Sequence, residues 1–420
     1  MLFIIIGVST IITIIAYRRF IFNVFDPLSL FVITLIADSA LMLALPWDAY
    51  LKWEYIGFFL SLWAGFALRG KPSATHPVIV FNKRALFELK FVLALLFIVI
   101  LVGNIYLGLT AGFPLLSLHP SEAKVTALTG GVGIVRRIDM GPYQFFSCGC
   151  LLLAVIGYER RFLLLLLSIA TFLVILSGSK GALLPVIFTI AFLLAHGGLS
   201  HNRQLRIRAT KYLVILLGVG SVIGILICTK DKGSLSAGII AFCFRFLMSG
   251  DVILFYFPRR DEILTLVDRN LWGYMHHLLS DLFGMLRIGD YQGSLGSIIV
   301  GNDDGFGPNS QFFVQSDLFF GPFFGMLYSF IVGYIMADLR ARFFEKTARS
   351  AVRMAFELLL AASAFTLAIE AGMLVITLFT TVVLVLPFWM LARICWICAS
   401  YRGVYGTHLL RTRSALENLK

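Results

Sequence analysis

The sequence predicts an all-α polytopic membrane protein, a single integral membrane domain over residues 1–420. Three observations predict it. Hydrophobic residues make up 59% of the chain and charged residues 14%, with a mean hydropathy of +0.90, so water is not its main solvent. Apolar runs near the 20 residues needed to cross a bilayer recur along its length. Lys and Arg gather in every second connection between those runs, as cytoplasmic loops require. The formal net charge of +12 would suggest nucleic acid in a soluble chain. Here it is loop charge, and no nucleic-acid partner is expected.

The first run, "MLFIIIGVSTIITIIAYRR", has no basic stretch before it and no small-residue cleavage site, so it reads as a retained span. About eleven transmembrane helices follow from the apolar runs: 1–17, 27–46, 53–69, 88–112, 142–158, 161–177, 182–196, 212–229, 318–337, 354–372 and 373–394. The fifth to seventh are short, and the last two are close enough to form one kinked helix. Basic residues follow span one (Arg18, Arg19) and lie between spans three and four (Arg69, Lys71, Lys83, Arg84, Lys90). They recur between five and six (Arg160, Arg161), seven and eight (Arg203, Arg206, Arg208, Lys211), and nine and ten (Arg340, Arg342, Lys346, Arg349, Arg353). Arg402, Arg411, Arg413 and Lys420 follow the last span. This alternation puts the N-terminus outside and the C-terminus inside.

The remaining connections face out. Trp47, Trp53 and Tyr55 suit an interfacial belt. Residues 230–317 form the largest non-spanning part, a large outer loop. Within it, 238–257 is apolar enough to cross. A crossing would turn the basic loop 338–353 and the basic tail outward, so the stretch is expected to be re-entrant or interfacial, broken at Gly250. Cys148 with Cys150, and Cys395 with Cys398, have no further ligand at metal spacing and are expected to be buried free thiols.

The outer loops hold the candidate chemistry. Arg245 and Asp251 lie in an apolar stretch, where ionisable groups are functional candidates. Six residues put them roughly 120° apart on a straight helix, so they meet only if the helix bends at Ser249–Gly250. The alternative is a salt bridge that pins the hairpin. Arg136 and Arg137, with Asp139, sit just before span five against the positive-inside trend, which suits an anionic ligand or a pair snorkelling to headgroups. "LSGSKGALLP" places Ser179 and Lys180 between glycines with a helix directly after, an anion-binding arrangement or a plain tight turn. His276 and His277 are candidates for a base, but adjacent residues face different ways, so a shared metal is not expected. "NDDG" (Asn302 to Gly305) is similar to metal-binding acidic pairs but reads rather as a solvated turn, and Glu370 as an outer-side carboxylate or a structural partner for a basic group.

Taken together, "SGSKGA" opening a helix, the large outer loop, the spacing Arg245–x4–Gly250–Asp251–x4–Tyr256 and "GPNSQFFVQSDLFFGPFFGMLYSFIVGYI" resemble the Wzy-type O-antigen polymerases, the oligosaccharide repeat unit polymerases of bacterial inner membranes. The resemblance covers the topology of the whole chain and the local motifs of about residues 136–185 and 240–337. It implies a lipid-glycosyltransferase (GT-C-like) layout. It also implies metal-independent, cofactor-free transfer of a glycan from undecaprenyl diphosphate to the next lipid-linked repeat unit, at the periplasmic face. Both donor and acceptor would then be undecaprenyl-diphosphate-linked oligosaccharides, with a chain-length regulator as a further partner. Many relatives carry arginine where this chain has Lys180.

On that reading Arg245 stabilises the diphosphate leaving group, because guanidinium binds phosphate bidentately. Arg136, Arg137 and Lys180 hold a second phosphate or lipid, and Tyr256 and Asn309 are further substrate contacts. Asp251, or else His276 or His277, accepts the acceptor hydroxyl's proton. Related O-antigen ligases carry a histidine–asparagine pair where this chain reads Pro308–Asn309–Ser310, which leans away from ligase. A flippase or transporter is the rival of another class, but no two similar halves appear. A non-catalytic scaffold would leave the outer basic clusters without purpose.

Overall fold

The computed structural model describes residues 2–23, 25–71, 81–127, 133–178, 182–196, 203–247, 252–286, 298–299, 309–345 and 350–417. Among the described residues there is no β-strand. The helices are α1 (Leu2–Tyr17), α2 (Pro27–Ala44), α3 (Ala49–Arg69), α4 (Lys83–Thr110), α5 (Pro120–Ala127) and α6 (Gly133–Val155). They continue with α7 (Arg160–Leu176), α8 (Leu184–Ala195), α9 (Arg203–Lys232), α10 (Leu235–Leu247), α11 (Val252–Tyr256), α12 (Arg260–Leu266) and α13 (Leu271–Leu286). The chain ends with α14 (Phe312–Gln315), a π-helical turn (Ser316–Phe320), α15 (Gly321–Glu345), α16 (Ala351–Ser363), α17 (Thr366–Ile369) and α18 (Ala371–Glu417).

Among the described residues, six helical stretches are long and apolar enough to cross a membrane: Pro27–Ala44, Lys83–Thr110, Gly133–Val155, Arg206–Lys232, Phe312–Glu345 and Ala371–Ser400. The chain is thus a helical protein of transmembrane character. The other predicted runs are also helical. α1, α7, α8 and α16 are shorter, at 16, 17, 12 and 13 residues, and α3 carries Lys52 and Glu54 near its start. Local chemistry sets several ends. Asp26 caps α2 by accepting from the Leu28 amide, with Pro27 in the first turn, and Asn82 caps α4 through the Ala85 amide. Gly70, at φ +72°, takes the left-handed position that closes α3.

Three predicted boundaries move. α6 begins at Gly133, so Arg136, Arg137 and Asp139 stand on the helix rather than before it, and Pro142 lies inside it. The polar groups of that first stretch are accommodated by neighbouring helices, which sequence alone does not reveal. α8 starts at Leu184, three residues beyond the glycine expected to abut it. The last two spans are separated by a break across 364–370, with α17 as a single turn inside it.

α9 and α10 form a tight hairpin closed at Gly233, φ +76°. A Cβ on Gly238 would meet the Thr229 backbone and hydroxyl, and one on Gly224 would meet the Phe242 ring, so α10 folds back directly along α9. Its 13 residues rise about 20 Å, short of a hydrocarbon core of about 30 Å. α11 then resumes in the core beside α2 and α3, with Val252, Ile253 and Tyr256 buried. The predicted break at Gly250 lies outside the described residues.

Two apolar cores join the bundle. One gathers α4, α6, α7, α8 and α16. The other gathers α1, α2, α3, α11, α14 and α15. Cys148 and Cys150 are buried thiols as expected, whereas Cys395 is half-buried and Cys398 exposed. α18 continues helical past the predicted end of the last span, which leaves Cys398 on an open face of the helix.

Candidate functional site

The strip 309–320 organises a polar network at one end of the bundle. Its sequence, "NSQFFVQSDLFF", alternates aromatic anchors with polar groups. Phe312, Phe313, Val314, Leu318 and Phe319 are buried in the core and hold the backbone in place. The π turn inserts an extra residue per turn, which re-aims the side chains after Gln315. The Gln315 amide donates to the Ser310 carbonyl at 2.7 Å and accepts from the Tyr328 hydroxyl at 2.6 Å. Tyr328 in turn lies 2.9 Å from the Tyr274 hydroxyl on α13. Ser316 pairs with Ser329 at 2.8 Å.

Asp317 is the hub of the first half of the site. Arg260 donates to it bidentately, Nε to Oδ2 and Nη2 to Oδ1, both at 2.6 Å. Tyr256 donates its hydroxyl to Oδ2 at 2.8 Å. Such a fork is the strongest arrangement for a guanidinium and a carboxylate, and it pushes the Arg260 pKa up, so the arginine stays charged. Burial, then the Asp317 charge, pushes the Tyr256 phenol up, so it remains a donor. Glu54 on α3 completes the group: its Oε2 is 4.0 Å from Arg260 Nη2, and its buried Oε1 makes no hydrogen bond among the described residues. The Arg269 guanidinium lies beside Gly321, where the π turn meets α15.

The second half centres on Glu370, in the break before α18. Its Oε2 accepts from the Ser310 amide at 3.0 Å and hydroxyl at 2.9 Å. Its Oε1 lies 3.6 Å from His277 Nε2. His277 also stacks on Phe319, with ring centroids 5.6 Å apart. A carboxylate this close to an imidazole orients the ring. His276 is half-buried on the same helix, and Asn309 is exposed at the start of the strip.

Asp139 belongs to a second network with no member in common. It accepts from Asn104 Nδ2 at 3.1 Å and from the Ser177 hydroxyl at 2.9 Å, joining α4, α6 and the "SGSKGA" segment. A cavity of about 260 Å³ opens beside it, with Gln144, Ser363 and Thr366 in its wall. Arg136 is exposed and Arg137 half-buried on the same helix.

The structure therefore brings Tyr256, His277 and Asn309 to one strip and sets Arg136 and Arg137 near a different one. Arg245 lies on α10, but its side chain is outside the described residues, as are Asp251, Ser179, Lys180, Asn302, Asp303, Asp304 and Gly305. Among the described residues no group of three His, Cys, Asp or Glu side chains is placed to hold a metal. Glu54, Arg260, Ser310, Gln315 and Asp317 were not singled out from the sequence. The available signal was a carboxylate or amide inside an aromatic run, as in "FFVQSDLFF", where a buried polar group requires a partner. Set against protein-family models, curated proteins and solved structures, the chain matches none of them.

Proposed function

We propose that the chain is a multi-pass glycosyltransferase of the bacterial inner membrane that polymerises undecaprenyl-diphosphate-linked O-antigen repeat units at the periplasmic face. The observation that carries this reading is the strip 309–320. The segment on which the resemblance rests gathers Glu54, Tyr256, Arg260, His277 and Glu370 around it, at the end of the bundle opposite the basic loops. Eleven crossings and a lipid-glycosyltransferase layout belong to the same proposal. The tight hairpin of α9 and α10, closed at Gly233, supports the re-entrant reading of 238–257. If that stretch does not cross, the basic loop 338–353 stays inside.

In the reaction, charge grows on the diphosphate as the glycosidic bond breaks, and fixed cations stabilise it. Arg245 takes that role, with Arg136, Arg137 and Lys180 at the second lipid. His277, oriented by Glu370, has the arrangement of a base that accepts the attacking hydroxyl's proton. Glu54, with an unused acceptor oxygen beside Arg260, joins Asp251 and His276 as an alternative base. Tyr256 and Arg260 hold Asp317, and so hold the strip itself.

The test is the lipopolysaccharide of a strain lacking this protein. Loss of a polymerase leaves lipid A-core carrying one repeat unit. Bare core with polymer left on the carrier lipid assigns a ligase instead, and absence of both assigns a flippase.

A further inference from the structure

A crevice of about 520 Å³ runs between α7 and α9, floored by α6 and α8. α7 and α9 are parallel in the proposed topology, and α8 returns between them without filling the gap. The lining is almost wholly aliphatic and aromatic, Leu164, Phe172, Ile190 and Leu216 among it. Two guanidiniums stand at the same end, Arg160 at the start of α7 and Arg206 in the first turn of α9. Neither makes an ion pair with another described residue. Along α9 the wall extends from Arg206 to Leu216, a rise of about 15 Å, and along α7 from Arg160 to Ile175, about 22 Å, so the slot is at least one leaflet's hydrocarbon deep.

An apolar slot at least one leaflet deep with two cations at its rim has the chemistry of a lipid with an anionic headgroup. We propose that the crevice is a binding site for one anionic glycerophospholipid of the leaflet that faces the basic loops. An acyl chain lies between α7 and α9, and the phosphate lies at Arg160 and Arg206. The bound chain fills a gap that would otherwise leave α9 unsupported beside α7. The site is at the opposite end of the bundle from the strip 309–320, so it is independent of the transfer chemistry proposed above.

The experiment uses the full-length protein in nanodiscs of phosphatidylglycerol and phosphatidylethanolamine in equal amounts, released and weighed by native mass spectrometry. The expected result is one retained lipid, enriched in phosphatidylglycerol. An arginine at a membrane surface favours anionic lipid by roughly fivefold, so Arg160→Gln with Arg206→Gln should lower the enrichment about thirtyfold. Both side chains are at the rim, so this variant should fold. Ala209→Trp, which fills the slot and leaves the arginines, should abolish retention without shifting the thermal unfolding midpoint in detergent by more than a few degrees. Wild-type protein that retains no lipid would overturn the proposal, as would a double glutamine variant with undiminished phosphatidylglycerol preference. Displacement of phosphatidylglycerol by polyprenyl phosphate added to the nanodiscs would overturn the assigned lipid.

Discussion

Asp317 binds Arg260 through both oxygens and Tyr256 through one, while its side chain is only 4% exposed. Removing one member of a buried pair typically costs about 3–5 kcal/mol, because the other charge is left uncompensated. Asp317→Ala should therefore lower the unfolding midpoint in detergent and abolish polymer. Arg260→Met combined with Asp317→Leu removes both charges and should recover most of the stability. Polymer of normal length from that double variant would reduce the pair to a staple with no part in the site. Arg245 is tested differently. Losing a charged partner in a desolvated transition state costs about 2–4 kcal/mol, roughly 30- to 1,000-fold in rate. Arg245→Ala should insert normally yet leave single-unit lipopolysaccharide, and Arg245→Lys should restore only part of the activity, since lysine lacks the fork. Normal polymer from Arg245→Met with Asp251→Leu would mean that the two residues only pin each other.

At the scale of elements, α3 and α15 pack through glycine. A Cβ on Gly333 would lie 2.1 Å from the Leu62 carbonyl oxygen, and one on Gly65 would lie 2.2 Å from that of Phe330. Small residues let helix backbones approach closely where lipid provides no hydrophobic drive between them. This contact places Glu54, on α3, beside Asp317 in the π turn that leads into α15. Gly333→Leu should thus cost at least the 1–3 kcal/mol typical of overpacking and should disturb the site about four turns away, read as a lower unfolding midpoint together with shortened polymer. An unchanged midpoint would show that the helices separate there at no cost. Gly141 acts likewise between α6 and α18, where its Cβ would meet Thr377 and Thr380.

Over the whole molecule, buried charges partition between the two ends. The end opposite the strip is tied by Arg340, which is buried and paired bidentately with Asp26, and which also donates to the Phe20 carbonyl. It is tied again by Glu88, which accepts from Arg84 and Trp389, and by Arg69 with Asp338 and Glu345. Cysteine labelling tests the orientation. In a cysteine-free background, Trp272→Cys, at a residue 78% exposed on α13, should react with a membrane-impermeant thiol reagent applied to the outer face. The native Cys398 restored alone should react only from the inner face. The reverse pattern inverts the topology. Polymerisation by purified protein should persist in excess EDTA. Loss in EDTA with recovery on adding magnesium would point to Asp303 and Asp304 as ligands.

The sequence by itself determined the class of solvent, the positions of most helices and the grouping of basic residues, because hydropathy and length are local and additive along a chain. Even so, the start of α6 was legible only to within nine residues, since Pro142 resembles an opening residue and the partners of Asp139 lie on other helices. Which charges distant in sequence meet was decided by tertiary structure alone. Arg340 counted, from the sequence, as one more basic residue of an inner loop, yet it pairs with Asp26, 314 residues away. Arg260 and Asp317 are 57 residues apart, and Glu54 reaches them from a third helix. Ion-pair choice depends on how helices lie against one another, which is set by close contacts such as Gly65 with Phe330 and by the aromatic anchors of the strip. No spacing rule along the chain carries that information.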